Sequence, residues 1–231
     1  MMVAMSLAIF DLDNTLISGD SDYLWGEFLV EQGIVDRNYY EKTNAQFYDD
    51  YCHGTLDIEK FLHFALTPLA ENNPEQLFKW RTQFLEKKIK PIMLSSAKNL
   101  IQQHRASGDT LLVVTATNQF VTEPIVELYG IPNLIATIPE FKNGRFTGDF
   151  SGIPCFQKGK IQRLEQWLKN TTHSCEDSWF YSDSHNDLPL LEYVRNPVAV
   201  DPDAKLRKIA MQKDWPIISL RGNEPPIKLN Q

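Results

Sequence analysis

Hydrophobic and polar positions alternate along this chain in two rhythms. Residues 6–10 form a short apolar run that empties into Asp11, Leu12, Asp13, Asn14 and Thr15, the pattern of a buried strand ending in two carboxylates two positions apart. Buried carboxylates are costly unless paired, so a metal ion or a hydrogen-bond network is expected at that strand end. From residue 21 to residue 90 the rhythm becomes helical: Tyr23, Trp25, Phe28 and Leu29, then Ile58, Phe61, Leu62 and Leu66, then Leu77, Trp80, Phe84 and Leu85. Breaks fall near Gly33, Gly54 and Asn72-Asn73-Pro74, which predicts a bundle of about four helices forming a small separate domain.

The rest of the chain mixes the two periods. Helices are expected over 97–105, 120–129, 158–169, 187–193 and 203–212, and strands over 111–114, 134–137, 178–182 and 198–200. A hairpin is expected over 140–153, where Asn143-Gly144 lies between Phe141 and Phe146. Strands separated by helical stretches imply an α/β fold, a mostly parallel sheet covered by helices on both faces. Ligands in such sheets bind beyond the carboxyl ends of the strands, where Asp11, Thr115 and Asp183 fall. The expected division is a core of 1–16 and 96–221, a helical insertion of 17–95 and a tail of 222–231 rich in proline and polar residues.

Composition narrows the function. The 231 residues carry 23 Lys and Arg against 30 Asp and Glu, a net charge of -7, which argues against binding to nucleic acid or a membrane surface. No leader is evident in residues 1–5 and no apolar run is long enough to span a bilayer, so a cytoplasmic protein is expected. Cys52, Cys155 and Cys175 are odd in number and widely spaced, which suits unpaired thiols in a reducing compartment and not a zinc site.

Taken singly, the polar residues at the strand ends have plain structural readings. An aspartate after a strand is usually a turn or a helix cap, Thr115 a strand-end threonine, and Lys158 a solvated lysine before a helix. Together they make a different case. Asp11 and Asp13, then Thr115 followed by Ala116-Thr117-Asn118, then Lys158 in Lys158-Gly159-Lys160, then Asp183-Ser184-His185-Asn186-Asp187 converge on one end of the sheet. A divalent metal, carboxylates, a hydroxyl and a lysine make a site for a phosphate ester.

These four segments, in this order, resemble the four motifs of the haloacid-dehalogenase-like phosphohydrolases. The resemblance covers the chain apart from the helical insertion and implies a Rossmann-like core bearing an inserted helical cap of the C1 type. It implies that Asp11 is the nucleophile that becomes an aspartyl phosphate and that Asp13 is the acid and base acting on the leaving alcohol and the attacking water. It also implies Mg2+ held by Asp11, the Asp13 carbonyl and Asp183 with Asp187 in support, and Thr115, Asn118, Lys158 and Asn186 binding phosphate. Ser182 departs from the pattern, because relatives usually have glycine there. His185 is expected to be peripheral.

The insertion resembles the cap of phosphoserine-phosphatase-like members, which closes over the site and selects the leaving group. In phosphoserine phosphatases a glutamate at the place of Asp20 faces the substrate ammonium and an arginine on the second cap helix clamps its carboxylate. Here alignment puts Ala65 at the arginine position, so a serine carboxylate lacks its bidentate partner unless Arg81 or Arg105 substitutes. The hinge Gly19-Asp20-Ser21-Asp22, followed by Trp25 and Glu27, resembles that of a bacterial subgroup that includes histidinol-phosphate phosphatases. Asp20, Asp22, Trp25 and Glu27 are therefore specificity candidates, with Tyr23, Trp25, Tyr48 and Tyr51 as either an imidazole-stacking surface or the bundle core. The expectation is a phosphatase acting on a small phosphorylated metabolite, histidinol phosphate ahead of phosphoserine or a broad substrate range, as a monomer or homodimer. An inactive phosphometabolite-binding protein is the alternative outside enzymes.

Overall fold

Strand alternation divides the protein into two cores. In the computed structural model, which describes residues 6–171, 173–222 and 227–228, the first strand β1 (Leu7–Phe10) sends Leu7 and Ile9 to one face and Ala8 and Phe10 to the other. The strand β2 (Thr110–Asn118) does the same with Leu112 and Val114 against Leu111 and Val113. All eight of these side chains are buried, as a sheet covered on both faces requires.

The remaining strands are β3 (Asn133–Lys142), β4 (Arg145–Ser151), β5 (Trp179–Ser182), β6 (Asn196–Val200), β7 (Ile217–Ser219) and β8 (Ile227–Lys228). They form one sheet in the order β4-β3-β2-β1-β5-β6-β7-β8, parallel from β3 to β7 and antiparallel at the two edges. The expected hairpin is β3–β4, turned by Asn143 and Gly144 at φ 51° and 77°, the left-handed pair that suits a tight strand reversal. Residues 1–5, where the leader question lay, and most of the 222–231 tail fall outside the described residues.

Between β1 and β2 run α1 (Ser21–Glu31), α2 (Arg37–His53), α3 (Ile58–Glu71), α4 (Pro74–Phe84) and α5 (Ser95–Ala106). The first four begin at a side-chain cap, Asp20, Asp36, Asp57 and Asn73 in turn, each accepting a backbone N–H of the first turn. This bundle shares a buried apolar cluster with one face of the sheet. Trp25, Phe28, Leu66 and Phe84 belong to the same buried cluster as Phe10 and Val113. The hairpin props the bundle from the other side, with Phe150 of β4 against His63 of α3 at 6.0 Å between ring centres.

After β2 come α6 (Gln119–Leu128), α7 (Lys158–Lys169), α8 (Leu188–Tyr193) and α9 (Ala204–Gln212). Helices α5 and α6 pack on the Phe10 face, while α7, α8 and α9 pack on the Ile9 face. The chain thus winds outward from β1 in both directions, and the crevice at the carboxyl end of β1 is the topological switch point. Among the described residues no helix is long and apolar enough to cross a membrane.

The insertion is closed at its base. Ile17 bridges Met93, Ser18 N donates to Ile92 O at 2.9 Å, and the Tyr129 hydroxyl donates to Leu16 O while accepting from Leu94 N at 3.2 Å. Tyr129→Phe removes that buried link and is expected to cost about 1–3 kcal/mol, read as a lower denaturation midpoint at unchanged m-value.

Candidate active site

The two carboxylates at the end of β1 occupy different environments. Asp11 is 5% exposed, and its backbone N–H continues the ladder by donating to Tyr181 O at 2.9 Å. Asp13 is turned toward the insertion: Ser21 N donates to its Oδ1 at 2.6 Å and the Thr117 hydroxyl to its Oδ2 at 2.8 Å. Asn14, at φ 54°, turns the chain immediately after them. On β2 the register shifts between Val114 and Asn118, an irregularity that brings Thr115 and Thr117 together into the crevice. Thr115 Oγ1 accepts from Thr117 N at 3.3 Å, leaving its own proton free for a ligand.

Asn118 is a correction to the sequence reading. Its side chain accepts from Val121 N and caps α6, and it does not line the crevice. Asn186 does line it, with Nδ2 donating to Tyr51 O at 2.9 Å and Oδ1 accepting from Gln157 at 3.2 Å. Asp183 is tied to the β1 loop, because Thr15 Oγ1 donates to Asp183 Oδ1 and accepts from Asp183 N, both at 3.1 Å.

The lysine is a second correction. Lys158 opens α7 with its side chain exposed, while Lys160 is 3% exposed and lies in the site. Two residues along a helix is a rotation of about 200°, so the two lysines leave on opposite sides. The inward face was marked by Leu164, buried one helical turn beyond Lys160. Lys160 Nζ donates to Asp11 Oδ1 at 2.8 Å and meets Asp187 at 2.7 Å from Oδ1 and 2.8 Å from Oδ2.

Asp187, expected to support the metal, is held as the second partner of Lys160. Ser182 Oγ also donates to it at 2.7 Å, so the serine that replaces the usual glycine has a role in orienting this carboxylate. Gly159 lets α7 start close to the preceding loop, since a Cβ there meets Pro154 O at 2.1 Å. Gln157 just before it sits at φ 46° and ψ -119°, a sparsely populated conformation that places its amide on Asn186.

Charge in the crevice is unbalanced. Five aspartates line it, Asp11, Asp13, Asp20, Asp22 and Asp187, against Lys160 alone. Burial raises the Asp11 carboxyl to about 7 even beside Lys160, with Asp187 and Asp13 adding repulsion. Burial and then Asp20 raise Asp13 to about 7, against the hydrogen bonds from Ser21 and Thr117. Asp183 is raised well above the usual carboxylate range by burial, Asp11 and Asp187. Burial opposes the charge on Lys160, but Asp11 and Asp187 outweigh it and hold the ammonium protonated.

The insertion supplies the opposite wall. Tyr23, Phe47, Tyr48, Tyr51 and Phe61 line the crevice, and Asp20 and Asp22 stand among them. Asp20 caps α1 through Tyr23 N at 2.8 Å. Trp25 and Glu27 do not reach the crevice. Trp25 is core, 1% exposed and packed on Phe28, Phe84 and Phe120 at 5.5, 5.2 and 5.9 Å, whereas Glu27 lines a separate groove with Arg37 and Glu41. Of the aromatic candidates, the three tyrosines thus face the site and the tryptophan fills the bundle.

Neither arginine substitutes for the residue missing at Ala65, which is itself buried in α3. Pro124 inside α6 has no N–H for the carbonyl of Phe120, and Arg81 Nη1 donates to that carbonyl at 2.9 Å instead. Arg105 donates to Gly130 O at 2.9 Å. His185 faces away from the crevice, with Nδ1 2.8 Å from Asp203 and Nε2 3.3 Å from Lys205. Lys205 in turn donates to His53 O at the end of α2, and Gly54 there, at φ 77°, brings its Cα close to the imidazole. These contacts, with Asn186 on Tyr51 O, pin the end of α2 to the core. The residues the sequence reading missed are Lys160, Thr117, Gln157 and the α2–α3 aromatics Phe47 and Phe61.

A doubly wound sheet with an acidic pair at its switch point, a buried lysine and a helical lid is a hydrolase arrangement, and sequence comparison agrees. Residues 8–192 match the haloacid dehalogenase-like hydrolase family, and the chain belongs to it. It is a phosphatase. The histidinol-phosphatase of Neisseria meningitidis is 46% identical over 220 residues, spanning 94% of this chain and 99% of that one. Among solved structures, a Bordetella pertussis protein of unknown function superposes with a TM-score of 0.89 at 41% identity, covering 94% of this chain and all of that one. A substrate-bound phosphoserine phosphatase shares the fold, with a TM-score of 0.65 at 20% identity over 89% of this chain and 90% of its own.

The two lysines give a direct check on the site. Lys160→Ala strands two buried carboxylates and is expected to cost about 3–5 kcal/mol in a urea titration. Lys158→Ala, on the exposed side of α7, is expected to stay within about 0.5 kcal/mol of the parent protein.

Proposed function

We propose that this protein is a Mg2+-dependent histidinol-phosphate phosphatase working through an aspartyl phosphate on Asp11, with 1–16 and 96–221 as the catalytic core and 17–95 as the cap. The observation that carries the substrate choice is the charge of the crevice: acidic where the leaving alcohol would lie, with one cation already held by two aspartates. A substrate carboxylate finds no guanidinium there, since Arg81 and Arg105 both serve backbone carbonyls. An amine-bearing phosphate ester without a carboxylate suits such a wall, and the Neisseria relative is named for an ester of that kind.

The donor set fits Mg2+. Among the described residues no three His, Cys, Asp or Glu side chains are arranged to hold a metal. The expected set needs only two carboxylates, Asp11 and Asp183, with the Asp13 carbonyl, and Mg2+ usually keeps several waters and substrate oxygens as its other ligands. The uncompensated burial that raises Asp11 and Asp183 is the condition a hard cation would relieve. When bound, the ion would neutralise charge on the transferring phosphoryl group.

The protein groups then divide the work. Thr115 and the Asn186 region hold the phosphoryl oxygens, and Lys160 restrains the Asp11 carboxylate for attack on phosphorus. As the bond from phosphorus to the leaving oxygen breaks, Asp13 gives that oxygen a proton, and it later takes one from the water that cleaves the acyl phosphate. A carboxyl raised to about 7 suits both directions near neutral pH. Ser21 and Thr117 fix its orientation. The three free cysteines accord with a cytoplasmic setting.

Phosphate release from a panel of esters tests the reading. Histidinol phosphate is expected to lead, and phosphoserine turned over far faster would overturn the ranking. Asp11→Asn is expected to abolish release, undiminished turnover after a mass check for deamidation being the contrary result. Removing divalent metal with EDTA is expected to silence the enzyme and added Mg2+ to restore it; full activity in EDTA would refute the cofactor.

A further inference from the structure

Among the described residues three buried side-chain atoms lack a hydrogen-bond partner: Ser21 Oγ, Asp22 Oδ2 and Trp25 Nε1, all near the start of α1. Of these residues only Asp22 lines the crevice, and it does so while 8% exposed. An unpartnered buried carboxylate oxygen is among the most costly features a fold can keep. Asp22 is not a helix cap, because Asp20 already accepts from Tyr23 N in that role.

Among the described residues the crevice offers no free cation to Asp22. Lys160 is the one basic side chain on the crevice wall, and both Asp11 and Asp187 hold it. The neighbouring groups add to the deficit: burial, Asp20 and Asp13 all push the Asp22 carboxyl up. Around it the wall is aromatic and apolar, with Tyr23, Phe47, Tyr48 and Phe61 among its residues. A metal ion gains nothing from the ring faces that share this wall, whereas an organic cation gains from them as well as from the carboxylate.

We propose that Asp22 is the specificity-determining residue of this enzyme, its buried carboxylate receiving a protonated amine carried by the leaving alcohol of the substrate. Asp20 then contributes field and helix capping, and Asp22 makes the contact. The inference deepens the reading of an amine-bearing ester and rests on it only for the choice of histidinol phosphate as probe.

The experiment compares matched esters. Histidinol phosphate is set against imidazolylpropyl phosphate, which lacks the amine, and phosphoethanolamine against propyl phosphate. The wild-type enzyme is expected to favour each amine by roughly tenfold or more in kcat/KM. Asp22→Asn is expected to erase most of that preference, chiefly through KM, and Asp22→Glu to restore part of it. Equal losses on amine and deaminated esters would assign Asp22 a structural part, such as anchoring a buried water with Ser21 and Trp25, and would overturn the inference. No amine preference in the wild type would overturn it without any variant, which covers the case of a variant that does not fold. If histidinol phosphate is a poor substrate but phosphoethanolamine keeps an Asp22-dependent advantage, the substrate reading fails and the role of Asp22 stands.

Discussion

The ion triad of Lys160 with Asp11 and Asp187 joins three segments far apart in the chain: the end of β1, the start of α7 and the turn after β5. Its members are 3–5% exposed, so each depends on the others for charge compensation. Much of the local architecture follows from that dependence. Gly159 allows the loop to pass within reach, Ser182 fixes the Asp187 carboxylate, and the Phe180 ring lies 5.8 Å below the ammonium. A triad of this kind is a weak source of stability compared with an apolar core of the same volume. Its use is to hold one carboxylate oxygen of Asp11 in a fixed place while leaving the other available.

The sheet and the bundle meet around this fixed point by two different means. At the base, hydrogen bonds at Ile17, Ser18 and Tyr129 close the insertion, and the shared core through Trp25 and Phe120 removes any apolar seam along which it would swing as a whole. At the far end, the C-terminus of α2 is held by Asn186 on Tyr51 O, by Lys205 on His53 O and by the Tyr51 ring against Phe156 at 6.2 Å between centres. Polar contacts at an edge exchange readily with water, whereas a continuous core does not.

The fold was legible because its signals are periodic. The apolar run of β1, the helical spacing of α1, α3 and α4 and the Asn-Gly turn each depend on neighbouring residues only. The site was legible where polar residues recur at successive strand ends, as with Asp11, Asp13 and Thr115, which line one crevice. It was misread where a helix start offers two candidates of the same chemistry. Lys158 and Lys160 differ only in which side of α7 they occupy, and Leu164 alone betrays that side. Asn118 and Asp20 show the complementary difficulty, since a polar residue before a helix caps it whether or not a ligand is nearby. The sharing of one core by bundle and sheet has no local signature, because it joins residues such as Trp25 and Phe120 across ninety-odd positions.

The distribution of acid in the crevice separates what the enzyme does from what it selects. Asp11 and Asp13 are buried beside groups that donate to them, Lys160 for one, Ser21 and Thr117 for the other, so their protonation and aim are set by the protein itself. Among the described residues nothing donates to Asp22 Oδ2, so on the proposed reading its compensation arrives with the ligand. Groups satisfied internally act alike on every ester that enters; a group satisfied only by the ligand discriminates among them. On the proposed reading, reaction class is built into the strand ends and substrate choice into the first turn of α1, where one carboxylate oxygen has no partner among the described residues.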